Sequence, residues 1–150
     1  MTTNHDLKAD SVIKYMSSAR AGRRNGATMT VVNEATGNRL TVRFRRPNDK
    51  DGNPFKQVMV DLMTGSDNES SFAYIGTFDG SVVRISNKQK TSLQKAQLAG
   101  DVLNWTLRAA RAGDLKTVRC LHEGRCGRCG RKLTVPESID TGLGPECAGK

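Results

Sequence analysis

The chain has 150 residues, a formal net charge of +9 and a pI near 9.8. Hydrophobic residues make up 36% of it and aromatic residues 5%, which suits one domain with a small aliphatic core. No apolar run approaches the roughly eighteen residues that a bilayer demands, and Met1-Thr2-Thr3-Asn4-His5-Asp6 has none of the features of a signal peptide. The expected location is therefore the cytoplasm, where thiols stay reduced. Five Lys/Arg against two acids in residues 1–25, and nine against five in residues 105–150, put most of the basic excess at the two ends. That distribution favours a polyanionic partner: nucleic acid, a nucleotide or an acidic protein face.

Residues 11–21 predict a short helix. Asp10 or Ser11 caps it, Val12, Tyr15, Met16 and Ala19 form its apolar stripe, and Gly22 stops it. Arg23 and Arg24 join Arg20 in a cationic cluster at its C-terminal end, suited to phosphate or simply to the helix dipole. From Ala27 the period becomes two. Met29 and Val31 alternate with Thr28 and Thr30; after Thr36-Gly37-Asn38, Leu40, Val42 and Phe44 alternate with Thr41, Arg43 and Arg45. The expected hairpin has one apolar and one cationic face, with Arg43, Arg45 and Arg46 placed to track a phosphate backbone or to meet water.

Residues 47–54 read as a polar surface loop. Further strands are expected at 57–63, 71–78 and 81–86, the last two joined through Asp79-Gly80. Thr91 or Ser92 opens a long helix that ends near Ala112 at Gly113, with Leu93, Ala96, Gln97, Gly100, Leu103, Leu107 and Ala110 directed at the sheet. Trp105 falls off that stripe, at the core boundary or in an interface. Val118 to Leu121 predicts a short final strand. The fold class is α+β: an antiparallel sheet of about five strands packed by a long helix over 91–112, with a C-terminal zinc-stapled knuckle lobe. The α+β part spans 1–119, and the lobe, 120–150, is integral to the same domain.

That lobe carries the most specific pattern. Cys126 and Cys129 form a C-x2-C pair, and Cys147 follows after seventeen intervening residues. The spacing suits one tetrahedral zinc ion held by thiolates, in a structural rather than a catalytic role. Gly127 and Gly130 are expected to supply positive φ around the sulfurs. A zinc ribbon would repeat C-x2-C, but Gly144 stands three residues before Cys147. The first choice for a fourth ligand is His122, the alternative is Cys120, and Glu123 or Glu146 rank behind. Against the metal stand two readings of the cysteines, as buried hydrophobes or as disulfides. Arg125, Arg128, Arg131 and Lys132 surround the pair, a spacing suited to phosphate oxygens.

No catalytic constellation emerges, so an enzyme is not expected. Thr64-Gly65-Ser66 lacks the Gly-Lys of a phosphate-binding loop, two histidines give little general-base capacity, and His122-Glu123 lies too close to Cys126 for a deaminase. The stretch Gly124 to Ile139, with its C-x2-C-G-R and Leu-Thr-Val-Pro-Glu-Ser segments, and the closing Gly142-Leu143-Gly144-Pro145-Glu146-Cys147, resemble a small Cys-rich domain of unknown function. That family occurs largely in bacteriophage, prophage and actinobacterial proteins. Leu62 to Asn68 and Tyr74 to Thr77 resemble, more loosely, a companion domain of some phage members. The resemblance implies a phage-derived, cytosolic zinc protein and brings no activity with it. Two functions follow as expectations. One is a basic binding protein that contacts nucleic acid through phosphate with little sequence specificity. The other is a phage-encoded inhibitor of a host defence protein, acting by protein contact, by nucleic-acid mimicry or displacement, or by capture of a nucleotide.

Overall fold

A computed structural model describes residues 5–19, 23–64, 72–129, 132–133 and 136–144, with backbone alone for 23–25 and 136–138. The alternation read from the sequence builds β2 (Arg23–Asn33), β3 (Arg39–Arg46), β4 (Val58–Met63), β5 (Phe72–Phe78) and β6 (Val83–Ile85), a meander of antiparallel neighbours. Two further strands enlarge it. β7 (Val118–His122) returns to pair antiparallel with β2, and β1 (His5–Asp6) pairs with β7 in turn. The described sheet thus has seven strands in the order β1-β7-β2-β3-β4-β5-β6, not about five.

The N-terminal helix is shorter than its pattern suggests. A 3-10 turn over Ala9–Ser11 leads into α1 (Val12–Met16), and Arg23 already belongs to β2. Arg23 and Arg24 therefore lie on a strand, not at a helix end; their side chains are outside the described residues, as is Arg20. Val12, Tyr15 and Met16 are buried as expected, and the Tyr15 hydroxyl donates to the Thr28 carbonyl at 3.0 Å.

The long helix α2 (Leu93–Arg111) follows its sequence signals closely. The Ser92 side chain accepts from the Lys95 amide at 3.2 Å, the N-cap bond, and the helix gives way at Gly113, where φ is 77°. Ala96, Ala99, Gly100, Leu103, Leu107 and Ala110 are buried, whereas Leu93 and Gln97 face out. α2 lies over the β6 end of the sheet, where Ile85 packs so close to Gly100 that a Cβ there would crowd it. Asn104 brackets Val83, accepting from its amide at 2.8 Å and donating to its carbonyl at 3.0 Å. These bonds satisfy backbone groups on a strand that, among the described residues, is the last of the sheet.

One core joins α1 and α2 to the same face of the sheet: Met29, Val31, Val42, Phe44, Val58, Val60, Ile75 and Phe78 meet Val12, Tyr15, Met16, Leu103 and Leu107. The other face carries the alternate residues of each strand. Among the described residues, no helix is long and apolar enough to cross a membrane.

Candidate functional site

The knuckle begins where β7 ends. His122 is paired with Met29, so its side chain takes the core-facing side of the sheet. Its ring lies 5.5 Å from that of His5 and 5.7 Å from that of Tyr15. Nδ1 accepts from the Gly124 amide at 3.0 Å, which leaves the proton on Nε2 to be donated to the Ile139 carbonyl at 2.5 Å. Burial is the main reason its pKa falls below 6.5; His5 adds to the fall, and the Ile139 carbonyl opposes it. His122 is thus a neutral imidazole that ties α3 (Pro136–Thr141) to the sheet, with both ring nitrogens engaged by backbone.

Beyond it the chain folds into a tight loop. Arg125 bridges to Lys132, and the Leu133 amide donates to the Gly124 carbonyl at 2.8 Å. Cys126 is buried in a small second cluster with Leu133 and Leu143, against which Cys129 and Ile139 pack. Burial pushes the Cys126 thiol up, but amides of Gly144, Cys129 and Arg128 point at its sulfur, and the Cys129 side chain lies within hydrogen-bond reach. Together they bring its pKa down from 9.0 to about 7. The sequence left Gly144 as the place of a missing cysteine. In the fold, Gly144 supplies an N–H to sulfur.

Gly127 acts differently from expectation. It does not have positive φ; instead a Cβ there would overlap Ser18 and the Tyr15 ring. Gly142, at φ 74°, would overlap the same edge of that ring, its Cδ1 and Cε1. The loop and the turn after α3 therefore both close on the Tyr15 ring, and the Gly127 amide donates to the Gly142 carbonyl at 2.8 Å. The knuckle is docked on α1 through residues that have no side chain to spare.

Of the other proposed ligands, Cys120 is buried in the main core opposite Val31, its thiol pushed up to about 12, mainly by burial. It belongs to a different cluster from Cys126. Cys147 lies outside the described residues, with Gly130, Arg131 and Glu146. Among the described residues no three His, Cys, Asp or Glu side chains form a metal-sized group, and Cys120 and Cys129 are free thiols. The pair that the C-x2-C spacing joins is present, with the sulfur of Cys126 prepared for the thiolate form. Arg125 and Lys132 are exposed and Arg128 is half-buried around it.

The second cationic group stands on the sheet face opposite the helices. Across four strands one row reads Thr28, Arg43, Asp61, Tyr74, and across β3 to β6 the next reads Arg45, Met59, Thr77, Arg84. Asp61, 1% exposed, binds both arginines: Arg43 Nε donates at 3.0 Å, Arg45 Nε at 2.5 Å and Arg45 Nη2 at 3.0 Å. Arg43 also lies over the Phe72 ring, 4.5 Å from its centroid. Periodicity identified the cationic face but not its pairing with the carboxylate, because Asp61 meets the arginines only through strand register. Arg46 shares the parity of Phe44 and so lies on the helix side; its Nε is buried with no partner among the described residues. It does not join Arg43 and Arg45 on one face.

No curated protein and no solved structure matches the chain. Residues 121–150, from the end of β7 through the knuckle and α3, match a family of unknown function, DUF6011.

Proposed function

We propose that the chain is a nucleic-acid-binding protein that contacts phosphate with little sequence preference, its C-terminal lobe stapled by one structural zinc ion. The observation that carries the binding reading is the open sheet face. Arg43 and Arg45 are held in place by a buried carboxylate that uses their Nε and Nη2 groups, so each keeps its Nη1 donors for a ligand. Fixed guanidiniums lose little entropy on binding phosphate, and Arg84 extends the same surface. Arg125, Arg128 and Lys132 add charge at the knuckle, in keeping with a net charge of +9. Such contacts position a backbone without reading bases. A labelled oligonucleotide titrated across salt tests this: affinity should fall linearly on a log–log plot, and no binding at about 50 mM salt would refute it.

The zinc reading rests on Cys126, whose three amide donors favour the thiolate that a metal requires. Cys129 and Cys147 would complete three sulfur ligands. His122 would have to exchange its bond to Gly124 or Ile139 to serve as the fourth. When bound, the ion would hold the loop, α3 and the C-terminal residues together. Elemental analysis of purified protein should find one zinc per chain; a folded protein without metal would refute it.

A second reading, a protein partner of the host-inhibitor kind, is favoured by one observation. Leu98, Val102 and Trp105 form an exposed apolar stripe along α2, with Leu98 58% exposed.

A further inference from the structure

We infer that the groove on the open sheet face beside Tyr74 is a nucleobase-stacking site, so that the protein takes single-stranded nucleic acid in preference to duplex. This rests on the nucleic-acid reading above and adds the form of the ligand. The groove has a volume of about 370 Å³ and is lined by Phe55, Lys56, Gln57, Met59, Tyr74 and Thr77. Phe55 is 42% exposed although it is a large apolar side chain with no place in the core. Here it stands with Tyr74 and Met59, so the groove is lined by two aromatic side chains and a polarizable thioether. Gln57 and Thr77 bring donors and acceptors, and Lys56 a cation.

The surroundings match the rest of a nucleotide. Tyr74 shares a cross-strand row with Asp61 and Arg43, and Met59 and Thr77 share the next with Arg45 and Arg84. Apolar surface and phosphate-binding guanidiniums are thus neighbours on one face, where a strand of bases and phosphates could use both. Phe72, two residues before Tyr74 on the same strand, carries the Arg43 guanidinium over its ring. A duplex keeps its base faces stacked and would use only the cations. A single strand can use both, because every base has a π-face and stacking is indifferent to sequence.

The test uses the full chain. Anisotropy titrations compare a labelled thymidine oligonucleotide with a duplex of the same length at one salt concentration. The single strand should bind about tenfold or more tightly, and Phe55→Ala should weaken it about five- to tenfold while leaving duplex affinity unchanged. Phe55 is exposed, so this variant should retain its melting temperature; Tyr74→Leu gives a second reading at a half-buried position. A 5-bromouracil oligonucleotide, irradiated in the complex, should cross-link to Phe55 or Tyr74. Equal affinity for both forms, with Phe55→Ala neutral and cross-links in the knuckle, would overturn the stacking site and leave the broader reading standing. Binding of neither form would overturn both.

Discussion

Asparagine in place of Asp61 removes a charge and almost no volume, and so isolates what the carboxylate does. In the wild type, two guanidiniums share it, one with 20% and the other with 22% of its side chain exposed. Without it they stand side by side at alternate positions of β3 with no counter-charge at 4 Å or less among the described residues. Breaking a buried pair costs about 3–5 kcal/mol. Water reaches a fifth of each arginine, and exposed pairs are worth only about 0–1 kcal/mol, so an intermediate loss of about 2–3 kcal/mol is expected. For a chain of this length about 1 kcal/mol moves the melting temperature by roughly 2–4 °C, which gives a fall of about 4–12 °C. Thermal unfolding followed by circular dichroism measures it. Asp61→Asn combined with Arg45→Met should recover part of the loss, because the second change removes the stranded cation. A melting temperature unchanged to within about 1 °C would refute the view that the carboxylate holds this face.

Protonation of His122 gives a second test. Its pKa is lowered in the fold, so the unfolded chain binds the proton more readily; stability should decline as pH drops below about 6.5, and His122→Gln should flatten that part of the profile. Gly142→Ala places a methyl group against Tyr15 at a positive φ, and chemical denaturation should report a loss of about 1–3 kcal/mol. Cys126→Ser should abolish zinc retention and increase amide exchange from Gly124 to Leu143, while α2 keeps its protection. Ser92→Ala removes the N-cap of α2 and should cost about 1 kcal/mol.

The parts legible in the sequence were those governed by local rules. Ser92 and Gly113 bound α2 because capping needs only neighbouring residues, and the hairpin of β2 and β3 follows from its period of two. Non-local pairings were the parts missed. β1 is two residues long, too short for any period, and exists because β7 offers it an edge. The apolar stripe of α1 continues to Ala19, but the helix ends at Met16, and Ala19 is buried without being helical. In the candidate site, cysteine spacing singled out Cys126 and Cys129. The amide of Gly144 at the sulfur, the grip of two glycines on Tyr15, and Asp61 under the arginines all depend on contacts between distant segments. Gly127 is instructive: a glycine beside a cysteine suggested a turn, whereas its function is to leave room.

The position of β7 also constrains the order in which the molecule can be assembled. Among the described residues β1 pairs with β7 alone, and His5 meets His122, so β1 has no place in the sheet until residue 122 has been delivered. Closing so long a loop is entropically costly and slow compared with zipping the local meander. The meander and α2 can form first, with β2 presenting an open edge. β7 then fills that edge, β1 seals β7, and the same step carries His122, Cys126 and Cys129 to Tyr15. The knuckle is therefore built at the last joint of the sheet, where β1 and β7 meet.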